Sequence, residues 1–497
     1  KGIGNITERI IMNRKIKKTE IILIMCFSIL YVLLFSYSTS PLFPYYYGGD
    51  SAQFLTIGKA WYLGKVPYID LFDHKGPFIF WIDMLGFRLA NGQKYGVAFV
   101  QCFFLFFSLM AFYKISQLFY ENKAYGFMVL IITLIIMKRN YGDGNTVEEY
   151  CIPFISWSFY EIIKYWKGRK NNSEHCIIAG GLYGVTFGVC LTTRITNFIP
   201  ICAILFIFIY LVYKKKYINI LKNIISGLMG SGIVIIPFVI YFALKRGLYE
   251  CIYGTLLYNF EYAEGRKSWL LTASGNDVKL YFLLYILSLS TFIISIIALM
   301  KKKYDEAGLY FLTGLLEQAM YLSGDAFPQY PLVCVVQIPI MINYLTDLLL
   351  DKKWEEMLLG LISVNILSLL LINDGSLMIE SFDYRKNFKS KTDREWEKML
   401  DEIPSNEKNS FVAYGGNEFK ELYLLEDLMP CYKYFVIQEW QGNLSPETKI
   451  AIYDTFASKQ AKWILTDNET NIIQDVLKNN YVQVDVAENY CLYTLKE

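Results

Sequence analysis

Long, uninterrupted apolar runs separated by short clusters of Lys and Arg occupy the first three quarters of the chain. Runs of this length are too long and too uniform for the helices of a soluble core, and they read as segments that cross a bilayer. Composition agrees: 54% of residues are hydrophobic and only 19% are charged, against about 25% charged in an ordinary soluble domain. The basic residues sit between apolar runs, a placement that reports topology rather than nucleic-acid binding, so no nucleic-acid partner is expected. The ten cysteines are scattered without CxxC pairs or metal spacing. Those inside apolar runs, such as Cys26, Cys102 and Cys202, serve as small hydrophobes. The first apolar run, from Ile21 to about Tyr37, is longer than a signal-peptide core and reads as a retained anchor.

The basic clusters fix the parity of the crossings. The tail carries Lys1, Arg9, Arg14, Lys15, Lys17 and Lys18. Later clusters are Lys164, Lys167, Arg169 and Lys170, then Lys214 to Lys216, Lys301 to Lys303, and Lys352 with Lys353. All belong on the cytoplasmic face. An even number of crossings must then precede Lys164, yet five apolar segments do: 20–38, 76–91, 95–119, 124–138 and 149–166. The segment 76–91 is short and holds Asp83 and Arg88, so it is expected to lie in the membrane plane on the outer surface. Residues 51–63 are expected to form a second in-plane helix, with Ser51 as N-cap and Gly64 just past its end. The later spans fall near 176–193, 194–213, 220–244, 278–300, 306–323, 329–349 and 356–373, about eleven crossings in all.

The last quarter changes character. Residues 410–414, 432–437, 462–466 and 480–495 read as strands. A helix between them opens on Ser445-Pro446-Glu447, an N-cap followed by Pro at the first helical position. Gly415-Gly416 reads as a turn. The expected division is a membrane domain over 1–375 and a small α/β domain over 376–497, with the N-terminus inside and the C-terminal domain outside the cytoplasmic (inner) membrane of a bacterium.

Three outer stretches hold the candidate chemistry. In the first, Asp50 follows a Gly-Gly turn and precedes an in-plane helix. Asp73-His74-Lys75-Gly76-Pro77 then precedes the second in-plane helix. An acid, an imidazole and an ammonium near helix N-termini suit a catalytic carboxylate with an anion-binding cation, and equally a solvated loop with helix caps. In the second, Asn145 or Thr146 caps the helix that Glu148 and Glu149 begin. One of these acids is explained by its place in a first turn, but two at the entry of a span invite a functional reading. The third comprises Arg194, at the outer boundary between two spans, and the turn from Ser323 to Tyr330. Snorkelling and an interfacial aromatic belt account for them as readily as a lipid-phosphate contact. Arg246, Arg266 and Lys267 read as interface residues, and His175 falls in an inside loop. A divalent metal, if one binds, would fall to Asp50, His74 and Glu148; no cofactor is otherwise indicated.

Taken in order, these motifs resemble the GT-C superfamily of membrane glycosyltransferases, nearest in form to the protein O-mannosyltransferases and the lipid A aminoarabinose transferase. The resemblance rests on Gly49-Asp50-Ser51 after the first span, His74-Lys75-Gly76-Pro77 before a helix, Glu148 or Glu149 before a later span, and the turn from Gly324 to Tyr330. Departures are Ser51 where a second acid is frequent, Gly76 where Pro is frequent, and Gln329 where some branches have His. The resemblance implies a GT-C membrane domain and a sugar donor linked to polyprenyl phosphate. It makes Asp50 the general base, and Lys75, Arg194 and Tyr330 the groups on the donor phosphate. Glu148, Glu149, His74 and Asp73 would orient substrate, and transfer would invert the anomeric centre. The acceptor would be a cell-envelope glycan, lipid or protein. Two rival readings are a transporter or flippase, which would place its charges near mid-membrane, and a polymerase or ligase for lipid-linked glycans.

Overall fold

The computed structural model describes residues 16–169, 174–264, 269–272, 274–324, 327–350, 354–386, 395–437, 439–468 and 470–496. Lys1, Arg9, Arg14, Lys15, Lys170, Arg266, Lys267, Lys352 and Lys353 lie outside them. The chain divides into two compact units, each gathered from three stretches. One comprises Lys1–Phe35, Val100–Pro237 and Lys267–Phe382; the other comprises Ser36–Phe99, Phe238–Arg266 and Asp383–Glu497.

The first unit is helical. Over the whole chain, and among the described residues, seven helices are long and apolar enough to cross a membrane. They are Lys18–Phe35, Tyr95–Gln117, Lys123–Tyr141, Ile195–Tyr213, Tyr217–Leu244, Tyr330–Leu350 and Val364–Lys386. Ile177–Leu191 and Ile286–Met300 are shorter apolar helices. Along Tyr217–Leu244 the side chains of Ile218, Leu228 and Ile233 are about 70% exposed, as expected for a helix whose solvent is lipid.

Small residues let two of these helices approach closely. Gly180, Gly184 and Gly188 stand one turn apart on Ile177–Leu191 and face Asn223, Gly227 and Ser231 of Tyr217–Leu244. A Cβ on Gly184 would lie 1.8 Å from the Gly227 carbonyl oxygen, so only glycine fits. Ile286–Met300 and Tyr304–Ser323 form an antiparallel pair, turned at Lys302 with φ 56°. Helix Trp354–Lys386 runs on past residue 375 and carries a fully buried Asp374. Arg139, on Lys123–Tyr141, donates to Asp374 Oδ1 from Nε at 2.8 Å and also from Nη2.

The second unit combines the stretch after the first apolar helix with Phe238–Arg266 and the C-terminal segment. Gly49–Tyr62 packs against Pro77–Leu89, and a Cβ on Gly58 would lie 2.3 Å from that of Asp83. Ala52, Leu55, Phe87 and Val97 join Leu424 of the C-terminal segment in one apolar cluster. The N-cap of Gly49–Tyr62 is Gly48, at φ 70°, and not Ser51. The chain needs a left-handed residue to enter this helix, which the Gly-Gly pair supplies, and Ser51 lies buried inside the first turn. Gly64, at φ 97°, closes the other end as expected.

The C-terminal sheet holds β1 (Phe411–Tyr414), β2 (Trp463–Asp467), β3 (Tyr481–Val486) and β4 (Tyr490–Leu495), in the order β1-β2-β4-β3. β1 and β2 are parallel, with Phe411 opposite Trp463, and the other pairs are antiparallel. The strand expected at 432–437 does not form. Its backbone touches β1 and the residue after it, with Val436 N–H on Ala413 O at 3.0 Å and Gly415 N–H on Ile437 O at 3.1 Å. Val436 adopts φ 46°, a conformation that breaks the pleat after two bonds. Ser445 does cap its helix, accepting from Thr448 N–H at 3.2 Å with Pro446 at the first position.

Candidate active site

In the second unit the structure gathers four of the candidate residues and adds a fifth. Asp50 stands in the first turn of Gly49–Tyr62, where the helix N-terminus favours a negative charge. Its Oδ1 accepts a hydrogen bond from Lys420 Nζ at 3.0 Å. Lys420 ends the short 3-10 turn Asn417–Lys420 that follows β1. Asp50 keeps 56% of its side chain accessible, while Lys420 keeps 12%. Surrounding protein raises the cost of ionising Asp50. The charges of Lys420 and Lys75, the hydrogen bond from Lys420 and nearby His74 outweigh that cost, so the carboxyl titrates below its ordinary range.

The loop between the two helices is tied down at several points. Tyr68 is fully buried and adopts φ 68°, an uncommon conformation for a bulky residue. Its hydroxyl donates to the Lys75 carbonyl at 2.7 Å. Asn259 Nδ2 donates to the His74 carbonyl at 2.7 Å, and Phe72 N–H donates to Lys433 O at 2.9 Å. Asp73 Oδ1 accepts from Lys75 N–H at 2.8 Å, a local turn that places the Lys75 backbone just before Pro77. Burial pushes the Asp73 carboxyl up to about 6, against the pull of the Lys75 charge and N–H. Two neighbouring acids are thus driven apart, Asp50 downward and Asp73 upward.

Lys75 Nζ lies 2.7 Å from His74 Nε2. An ammonium can only donate, so Nε2 accepts and the ring proton sits on Nδ1, 3.8 Å from Asp73 Oδ1. Among the described residues no carboxylate forms an ion pair with Lys75; its partner is neutral and its positive charge is uncompensated at contact distance. That is the chemistry an anionic ligand requires.

In the first unit, Arg194 Nη1 donates to Glu148 Oε1 at 3.2 Å, and the guanidinium lies 3.3 Å from the centre of the Tyr330 ring. Glu148 is 2% accessible and Arg194 is 21% accessible, so the acid holds the base of a cation whose remaining donors are available. Glu149 points elsewhere. Its oxygens accept from Gln101 Nε2 at 2.9 and 3.1 Å, from the Tyr141 hydroxyl at 2.7 Å and from Asn145 N–H at 2.9 Å. Thr146 caps the helix by accepting from Glu149 N–H. His175 is buried, 3.1 Å from the Tyr183 hydroxyl. Among the described residues no group of three or more His, Cys, Asp or Glu gathers to hold a metal.

Lys420, Tyr68, Asn259 and Gln101 escape sequence reasoning. Lys420 is an ordinary surface-type lysine 370 positions from its partner, and no local pattern marks it. The Gly48 and Asp73 turns, by contrast, are announced by residue type.

Two crystal structures of ArnT from Cupriavidus metallidurans, one bound to undecaprenyl phosphate and one in the apo state, superpose on the chain with TM-scores of 0.54 and 0.51. Identity is 9%, over 95% of this chain and 97% of theirs. The chain therefore shares the fold of ArnT. Residues 11–399 match the model of the competence-induced protein Ccs4 N-terminal domain, and the chain belongs to that family. The matched region ends before the C-terminal sheet. No curated protein matches the chain by sequence.

Proposed function

We propose that the chain is a membrane glycosyltransferase that moves a sugar from a polyprenyl-phosphate donor to an acceptor hydroxyl, with inversion, on the outer face of the bacterial cytoplasmic membrane. The observation that carries this reading is an accessible Asp50 hydrogen-bonded to Lys420 at a helix N-terminus, in a chain that shares the ArnT fold. The undecaprenyl phosphate bound to an ArnT of this fold supports the donor class.

Asp50 acts as general base. It takes the proton from the acceptor hydroxyl as that oxygen attacks the anomeric carbon. The bond to the donor phosphate breaks, and the phosphate leaves with the electron pair. Lys75 meets the charge that develops there, and in the first unit Arg194, held by Glu148 and Tyr330, is a further cation for a lipid phosphate. His74 positions the Lys75 ammonium, and Asp73 orients His74 and the Lys75 backbone. Glu149 sets the start of its helix and, with Glu148, the substrate hydroxyls. Helices Val147–Gly168 and Tyr304–Ser323, which carry acids, join the nine apolar helices to make eleven crossings. Gly49–Tyr62 and Pro77–Leu89 lie in the membrane plane on the outer side, and the segment after residue 375 forms an extracytoplasmic domain.

The direct test is release of polyprenyl phosphate when the purified chain is incubated with labelled undecaprenyl-phosphate sugars and a mixture of cell-envelope acceptors. Donor-dependent release supports the reading, and no release from any sugar tested overturns it. Lys420 adds a pH signature. Because its charge lowers the Asp50 pKa, a Lys420→Met chain should need a higher pH to ionise its base. The acidic limb of its rate profile should move upward, while Lys420→Arg should keep the parent limb. An unmoved limb in Lys420→Met would remove Lys420 from the base.

A further inference from the structure

Trp440, in the short helical turn Glu439–Gly442 of the C-terminal segment, is 42% exposed. Its indole lies 5.6 Å from the Tyr262 ring, centre to centre. Tyr262 in turn stacks on His74, at 5.4 Å with planes 20° apart, and Tyr258 flanks His74 at 5.9 Å. The Tyr258 hydroxyl donates to Gln441 O at 3.2 Å, which fixes the turn that presents the indole. An aromatic row therefore runs from the exposed Trp440 to His74, whose Nε2 accepts from Lys75 Nζ at 2.7 Å.

We propose that Trp440 and Tyr262 form a stacking subsite for a pyranose of the acceptor, so that the acceptor is a glycan. This rests on the glycosyltransferase reading above. Sugar rings present one face of polarised C–H groups, which an electron-rich ring face attracts, while their hydroxyls stay at the rim for hydrogen bonding. The donor sugar reaches the site on its lipid phosphate, whose proposed partner in this unit is Lys75. The base, by contrast, meets the acceptor. The same C-terminal segment that supplies Lys420 to Asp50 also supplies Trp440, so the platform belongs to the acceptor side. An exposed Trp and Tyr at a bilayer interface would instead sink into headgroups. That alternative assigns no role to the stacked row leading to His74.

The test uses the full chain in lipid nanodiscs and four soluble probes: linear pentasaccharides of glucose, mannose, galactose and N-acetylglucosamine. Binding is read by calorimetry and by saturation-transfer NMR on the sugar C–H protons. At least one probe should bind, with saturation strongest on one ring face. Trp440→Ala and Tyr262→Ala should weaken it about tenfold or more, and Trp440→Phe should stay within about threefold. The readout is binding and not turnover, so this outcome is independent of whether Asp50 is the base. Failure of all four probes, or unchanged binding in Trp440→Ala, overturns the subsite. So does quenching by brominated lipid that disappears in Trp440→Phe, which would place the indole in the membrane.

Discussion

Replacing Asp50 with asparagine should reduce polyprenyl-phosphate release from a lipid-linked donor by about a thousandfold, within the range that a positioned general base contributes. The substitution is close to isosteric and keeps an oxygen that can accept the Lys420 hydrogen bond. It removes the one property the chemistry needs, a negative charge able to take a proton. The neighbourhood spends two ammonium groups, Lys420 and Lys75, on keeping that charge in place. A merely structural carboxylate that is over half accessible would show little rate effect when made neutral. Purified Asp50→Asn should elute and melt like the parent, and activity within about tenfold of the parent would move the base elsewhere. Asp50→Glu should recover part of the rate, since the charge is kept and only its position shifts.

The largest effect on folding is expected at Arg139 and Asp374. Both side chains are at most 5% accessible, and they lie on helices read as crossing the membrane. Removing one partner leaves a charge buried in a medium that cannot solvate it, a loss of about 3–5 kcal/mol in soluble proteins. Arg139→Met or Asp374→Leu should therefore lower the melting temperature in detergent sharply, or prevent recovery of monodisperse protein. Combining the two removes both charges and should restore much of the loss, because a buried ion pair is replaceable by apolar packing. A double variant no better than the singles would show that the pair is needed for more than its mutual neutralisation.

The membrane character of the chain was legible in the sequence because bilayer thickness imposes a length that no soluble helix must satisfy. Helix positions followed from the apolar runs, and the N-caps at Thr146 and Ser445 from hydroxyl chemistry at helix starts. Sequence and structure part where two local signals compete. Ser51 looked like a cap, but the left-handed entry required at Gly48 decided where the helix begins. Residues 432–437 have strand-like composition, yet one backbone angle at Val436 stops the ladder. The run ending near 373 hid a helix that continues to Lys386, because polar residues after a span read as loop when the buried Arg139 partner of Asp374 is unseen. The acids and cations between residues 50 and 75 stand out by spacing and resemblance. Lys420 does not, since an ion pair across 370 positions leaves no trace in either neighbourhood.

The Lys420 contact also limits how the chain can be taken apart. The family match stops at residue 399, and the partner of Asp50 lies beyond it. A truncation that keeps only the family region would retain the acid but discard its counter-charge. A graft that exchanges the tail for an unrelated domain would do the same unless it returned a cation to that spot. The tail belongs to the same compact unit as Asp50, and modular engineering of this protein has to treat Ser36–Phe99, Phe238–Arg266 and Asp383–Glu497 as one exchangeable part.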